Sequence, residues 1–129
     1  SDYLKFLLML GNKGVLGGER ILGRKTVELM TMNHLPDNAD LSRMGQKVFS
    51  EMPFDGIGFG LGFSVTLDPA KAQILGSPGE YSWGGAASTT FWIDPVEDLI
   101  VIFLTQLIPS SSYPIRRELR VLTYQSIVD

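Results

Sequence analysis

Glu80-Tyr-Ser-Trp-Gly-Gly-Ala-Ala-Ser-Thr-Thr-Phe-Trp-Ile-Asp-Pro-Val-Glu-Asp-Leu-Ile-Val-Ile-Phe-Leu-Thr-Gln106 is the stretch whose reading decides the fold. It contains the most apolar run in the chain, Leu99 to Leu104. Such a run suits a strand covered on both faces, where neither side tolerates polar groups. Asp94-Pro95-Val96-Glu97-Asp98 reads as a turn: Pro95 presets φ at a central position and the acidic side chains bond locally to backbone. The stretch is therefore a hairpin, with one strand from Ala87 to Asp94 and a second from Leu99 to Gln106. Gly84-Gly85 stands at its mouth, where backbone can come close to a ligand.

Working outward, the chain supplies helices and further strands to support that hairpin. Asp2 to Leu10 reads as a helix, with Tyr3, Phe6, Leu7 and Leu10 at helical spacing, Ser1 or Asp2 as cap and Gly11 or Gly14 as terminator. It is apolar almost all round, so deep burial is expected. Val15-Leu16, Gly17-Gly18 and Glu19 to Leu22 suggest a miniature hairpin. Arg24 to Met32 reads as a second helix, with Val27, Met30 and Leu35 inward and Pro36 ending it. Residues 36–55 are polar and aperiodic, as in a functional rim or surface loop with one short helical turn. From Gly56 to Leu67, glycines alternate with Ile57, Phe59, Leu61 and Phe63. Period two predicts a strand, and a glycine-bare face means that something lies flat on it or that it bends. Asp68 to Lys71 reads as a turn and Gln73 to Gly76 as a short return strand. A terminal helix is expected from Pro114, capped by an upstream serine, with Ile115, Leu119 and Leu122 as inner stripe and Val121, Tyr124 and Val128 as a second. The order predicts an α+β fold, an antiparallel sheet flanked by helices.

Composition narrows the class. The 129 residues make one domain, or a large part of one, able to bury roughly two-thirds of the unfolded surface. A net charge of −3 with scattered basic residues argues against a nucleic-acid face or a polybasic membrane patch. No cysteine is present, which excludes disulfides, a thiol nucleophile and thiolate metal ligation, and is permitted in any compartment, cytoplasmic or periplasmic. No apolar run approaches the ~18 residues of a membrane span. A start at Ser1, directly in a helical segment, suggests a fragment or processed product.

Few residues could carry chemistry. His34 stands alone at a helix end, where a cation can meet unpaired carbonyls. No ligand cluster for a metal is spaced in the sequence, and Asp94, Glu97 and Asp98 are turn formers before they are an acid–base couple. Gly56-Ile57-Gly58-Phe59-Gly60 has the glycines of a phosphate loop but strand periodicity and no following helix start. Trp83-Gly84-Gly85-Ala86 is the best candidate: free backbone N–H groups at a strand end can stabilise an oxyanion. A tight bend packed under Trp83 accounts for the same residues.

Gly79 to Pro95, followed by Leu99 to Gln106, resembles the C-terminal part of the serine β-lactamase-related family, which includes class C β-lactamases, D-alanyl-D-alanine peptidases and family VIII-type carboxylesterases. Asp2 to Phe6, Gly14 to Leu22, Thr26 to Met30 and Gly56 to Phe63 match it as well. The resemblance implies the C-terminal portion of a β-lactamase/penicillin-binding-protein-like fold. It implies three motifs around a serine nucleophile: Ser-x-x-Lys, Tyr-x-Asn or similar, and a Lys-Thr-Gly type triplet on a strand. Trp83-Gly84-Gly85 stands where the triplet belongs, as a substrate-binding wall, and Ala86 would give its N–H to the oxyanion hole. Tryptophan in place of lysine is the esterase-like pattern and removes the cation that would hold a β-lactam carboxylate.

Here the sequence departs from the family. No serine is followed three positions later by lysine, and no tyrosine two later by asparagine. Without nucleophile and base no acyl-enzyme forms. Residues 1–129 are thus expected to be a single partial domain, inactive alone, whose partners are an ester or amide substrate and the missing N-terminal part of the same protein. No cofactor, metal, nucleic acid or membrane is implied. A non-catalytic binding or assembly module with the same sheet is the second reading, and a stand-alone protein sharing only the fold the third. Bare sheet edge or the Tyr3–Leu10 helix surface predicts self-association.

Overall fold

A computed structural model describes residues 1–44, 54–110 and 112–128. Helix α1 (Asp2–Gly11) is capped by Ser1, whose Oγ accepts from Leu4 N at 3.4 Å. A two-strand ribbon follows, β1 (Val15–Leu16) with β2 (Glu19–Arg20), closed by Gly17 and Gly18 at φ 60° and 87°. Only a turn of mirror-image hand matches the strand twist there, and it needs positive φ at both positions. Helix α2 covers Arg24–Met30, and short 3₁₀ turns cover Pro36–Asn38 and Leu41–Met44. The rest of the loop expected over 36–55 lies largely outside the described residues.

Five strands then form one antiparallel sheet in sequence order: β3 (Ile57–Phe59), β4 (Ser64–Thr66), β5 (Tyr81–Gly84), β6 (Thr90–Asp94) and β7 (Leu99–Phe103). The α+β architecture is as the sequence reads. The β6–β7 hairpin is there too, in register from Thr90↔Phe103 to Asp94↔Leu99. Asp94 Oδ1 accepts from Val96 N (3.0 Å) and Glu97 N (3.3 Å), so the acidic residue shapes the turn as expected. Both strands are shorter than the sequence suggests: 85–88 form a turn, so β6 starts later, and the chain leaves the sheet after Phe103.

Two expectations are corrected. The glycine-rich run is not one strand: it folds back at Gly60–Phe63, with Gly60 N donating to Phe63 O at 2.8 Å and Gly62 at φ 98°. Side-chain period two is compatible with a tight β-turn in its middle, so alternation alone missed the reversal. The return strand at Gln73–Gly76 is absent as well. Asp68 caps a single helical turn, α3 (Pro69–Ala72), accepting from Ala70 N and Lys71 N at 3.1 Å each, and Gln73 stops it at φ 53°. The strand beside the hairpin is β5, which carries Trp83 and Gly84.

One sheet face carries the apolar core. Phe63, Val65, Tyr81, Phe91 and Ile93 pack with Leu7, Met9 and Leu10 of α1 and Val27 of α2. Each side chain so buried stabilises by roughly 1.5–3 kcal/mol. Helix α1 buries one side only: Tyr3, Leu4, Phe6 and Leu8 stay more than a third exposed, against the expectation of burial all round. The opposite face meets helix α4 (Ile115–Tyr124) through polar groups.

Candidate active site

Helix α4 departs furthest from its reading. Arg120 is buried, Val121 and Leu122 are exposed, and the inward positions are Arg116, Arg120 and Tyr124, one helical turn apart. Pro114 precedes the helix as its cap without any side-chain capping bond, so the upstream serine does not serve. The sheet explains the inversion. On the face toward α4, strand alternation places Glu80, Ser82, Trp92 and Asp94, and the first and last of these are carboxylates with almost no exposure. An apolar helix stripe would leave those charges unpaired, which costs more than the apolar contact gains.

The resulting cluster leaves Glu80 Oε1 and Trp92 Nε1 without a hydrogen-bond partner among the described residues. Arg120 Nη1 pairs with Glu80 Oε2 and also donates to Leu75 O at 3.0 Å. The Tyr124 hydroxyl lies 2.8 Å from Glu80 Oε2 and 2.7 Å from Asp94 Oδ2. Trp92 is the floor: Arg120 Cζ sits 4.7 Å from its ring centroid and Tyr124 stacks on it at 6.5 Å. One hydroxyl proton cannot satisfy two carboxylates at once. Burial raises the Glu80 pKa first, the Arg120 and Tyr124 contacts oppose it, and the Asp94 charge adds to the rise. Burial and the two carboxylates push the Tyr124 phenol far up, so it stays protonated as the donor.

The residues singled out by sequence lie together at the far end of β5, with Gly84 on the face toward α4 and Trp83, paired with Phe91, on the apolar face. Trp83 and Gly84 end β5, and Gly85 and Ala86 begin the turn into β6. Trp83 is 45% exposed and meets the Phe59 ring edge-to-face at 5.2 Å. Ala86 is exposed, and its N–H donates to no group among the described residues. Gly84 leaves room, but Arg116 fills it. A Cβ on Gly84 would lie 2.7 Å from Thr89 O and 2.9 Å from Arg116 Nη2. The sequence reading missed Arg116. Arg116, Arg120 and Tyr124 do repeat at a spacing of four, but the same helix carries the more apolar Ile115, Leu119 and Leu122, which the pattern favours as the inner stripe.

His34 joins no cluster. Its Nε2 donates to Leu29 O in the last turn of α2 at 2.7 Å, and its own N–H donates to Phe59 O at 2.8 Å. Among the described residues no three His, Cys, Asp or Glu side chains converge as metal ligands, and no helix is long and apolar enough to cross a membrane.

Sheet, flanking helices and strand-end turn are those of the β-lactamase-like fold. EstCE1, described as a hydrolase with promiscuous acyltransferase activity, superposes with a TM-score of 0.71 at 26% identity, over 95% of this chain and 29% of its own. Unliganded simvastatin synthase (LovD) from Aspergillus terreus gives 0.69 at 26%, over 91% and 30%. The profile of the Beta-lactamase family matches residues 1–125, and the chain belongs to that family. Protein Rv1367c of Mycobacterium tuberculosis is 40% identical over 116 residues, 87% of this chain. The chain spans 28% of the length of that relative.

Proposed function

We propose that residues 1–129 are one partial domain of a β-lactamase-related serine hydrolase, the part that carries the third-motif strand and half of the oxyanion hole. In this reading Trp83, Gly84 and Gly85 form one wall of the substrate site, and Ala86 N–H stabilises the tetrahedral oxyanion. The free N–H of Ala86 in an exposed turn at the end of β5 is the observation that carries it. The nucleophile and base come from the longer protein, since the chain has no Ser-x-x-Lys. Carboxylic esters are the favoured substrate: Trp83 offers an apolar wall where a lysine would grip a carboxylate, and a hydrolase with acyltransferase activity is among the similar structures.

The test uses the longer protein and p-nitrophenyl butyrate. Ala86→Pro removes the N–H and should lower kcat about 100-fold or more, the usual cost of one oxyanion donor. An unchanged kcat with the fold intact by circular dichroism overturns the assignment.

The isolated chain should also self-associate. Tyr3, Leu4, Phe6 and Leu8 on α1 are exposed, and among the described residues β7 has β6 on one side and no strand on the other. Light scattering that finds only monomer at high concentration refutes this.

A further inference from the structure

Arg116 Nη2 donates to two backbone carbonyls, Gly85 O at 2.7 Å and Thr89 O at 3.0 Å. These are the two ends of the turn that holds Ala86. Gly85 N donates to Thr89 O and Ser88 N to Gly85 O, both at 3.1 Å. Fully buried Ser88, at φ 65°, ties the turn down through its Oγ to Leu107 O at 2.7 Å. Leu107 N in turn donates to Ala87 O at 3.2 Å. Gly84 is the residue that admits the guanidinium, because any Cβ there meets both the cation and the Thr89 carbonyl.

Gly85 C=O and Ala86 N–H belong to one peptide unit. In a trans peptide the two bonds point in opposite directions, and the unit is stiff. A cation and the Ser88 N–H together hold the carbonyl, so the direction of the Ala86 N–H is fixed as well: away from α4. Charge-assisted bonding at the oxygen also polarises the amide and makes its N–H a stronger donor.

We infer that Arg116 is a positioning residue, which orients and polarises the Gly85–Ala86 peptide so that Ala86 N–H is pre-aimed at the reacting carbonyl oxygen. This rests on the reading of Ala86 as an oxyanion donor. Arg116 itself touches no substrate. Its contribution is made in the transition state, where charge develops on the oxygen, and so belongs in kcat rather than KM.

The experiment compares Arg116→Met, Arg116→Lys and Ala86→Pro in the longer protein with p-nitrophenyl butyrate. Arg116→Met should lower kcat about 10- to 100-fold, less than full loss of the donor. KM should change by no more than about threefold, as expected when only transition-state stabilisation is lost. Arg116→Lys keeps a cation near the carbonyls and should recover part of the rate. In the chain itself, the Ala86 amide proton should move upfield in a nitrogen-correlated NMR spectrum of Arg116→Lys and Arg116→Met. If Ala86→Pro abolishes turnover while Arg116→Met keeps wild-type kcat, the positioning role is wrong and the oxyanion reading stands. Should Ala86→Pro turn over normally, both fail. If Arg116→Met does not fold, an unmoved Ala86 amide or wild-type kcat in Arg116→Lys overturns the inference.

Discussion

Replacing Arg120 by methionine tests the energetic logic of the α4 interface. Arg120 is 6% exposed and Glu80 1%. Deleting the cation leaves a buried carboxylate with the Tyr124 hydroxyl as its remaining partner, and that hydroxyl is shared with Asp94. Breaking a buried pair from one side costs roughly 3–5 kcal/mol. Loss of the cation over Trp92 adds about 0.5–2 kcal/mol, of which the thioether of methionine recovers some. Set against a total stability of roughly 5–15 kcal/mol, the variant should be near the edge of folding. Glu80→Gln alone behaves differently. The amide still accepts from Arg120 and Tyr124 but leaves the Arg120 cation without its carboxylate, so the cost should be smaller than that of Arg120→Met, which also removes a hydrogen-bond donor. The decisive variant combines both. Glu80→Gln placed on Arg120→Met removes the orphaned charge and should restore about 2 kcal/mol, a coupling within the range seen for contacting residues. Urea unfolding at neutral pH, followed by tryptophan fluorescence, measures all three. A double variant less stable than Arg120→Met, or simple additivity, would refute the reasoning.

Two further outcomes are expected. Glu80 has a folded pKa above its reference value of 4.5, so its contribution is fully present below that pH and fades as pH rises through the folded value. Wild-type stability relative to Glu80→Gln should therefore fall from pH 4 to pH 7, and a relative stability that rises over that range is the contrary result. Gly84→Ala should cost about 1–3 kcal/mol, because its Cβ meets the Thr89 carbonyl at 2.7 Å. Gly85→Ala meets only the Thr89 hydroxyl, the end of a side chain that can rotate, and should cost less than about 1 kcal/mol; equal costs in denaturant titration contradict the packing described.

What the sequence made legible were the features with a local cause. Leu99 to Phe103 is a strand because a run of β-branched and large apolar residues has few alternatives, and Asp94 to Asp98 is a turn because carboxylate and proline impose it locally. Gly17-Gly18 is likewise explained by the backbone alone. Features with a tertiary cause were hidden. Arg120 looks like a surface residue until Glu80 is known to stand across from it, forty positions earlier. Leu122 looks like core for the same reason, and is 59% exposed. At the candidate site, Trp83 to Ala86 were singled out from the chemistry of glycine at a strand end, whereas Arg116 was not, since its partners are backbone carbonyls that no side-chain pattern announces.

The central claim is that this chain supplies a wall of the site and its oxyanion donor but no nucleophile. Locating the serine that takes a fluorophosphonate tests it most directly. Peptide mass mapping of the labelled longer protein should place the adduct outside residues 1–129, and the isolated chain should take no label and release no p-nitrophenol above buffer. An adduct on a serine within residues 1–129, or turnover that survives repurification of the chain, contradicts the account.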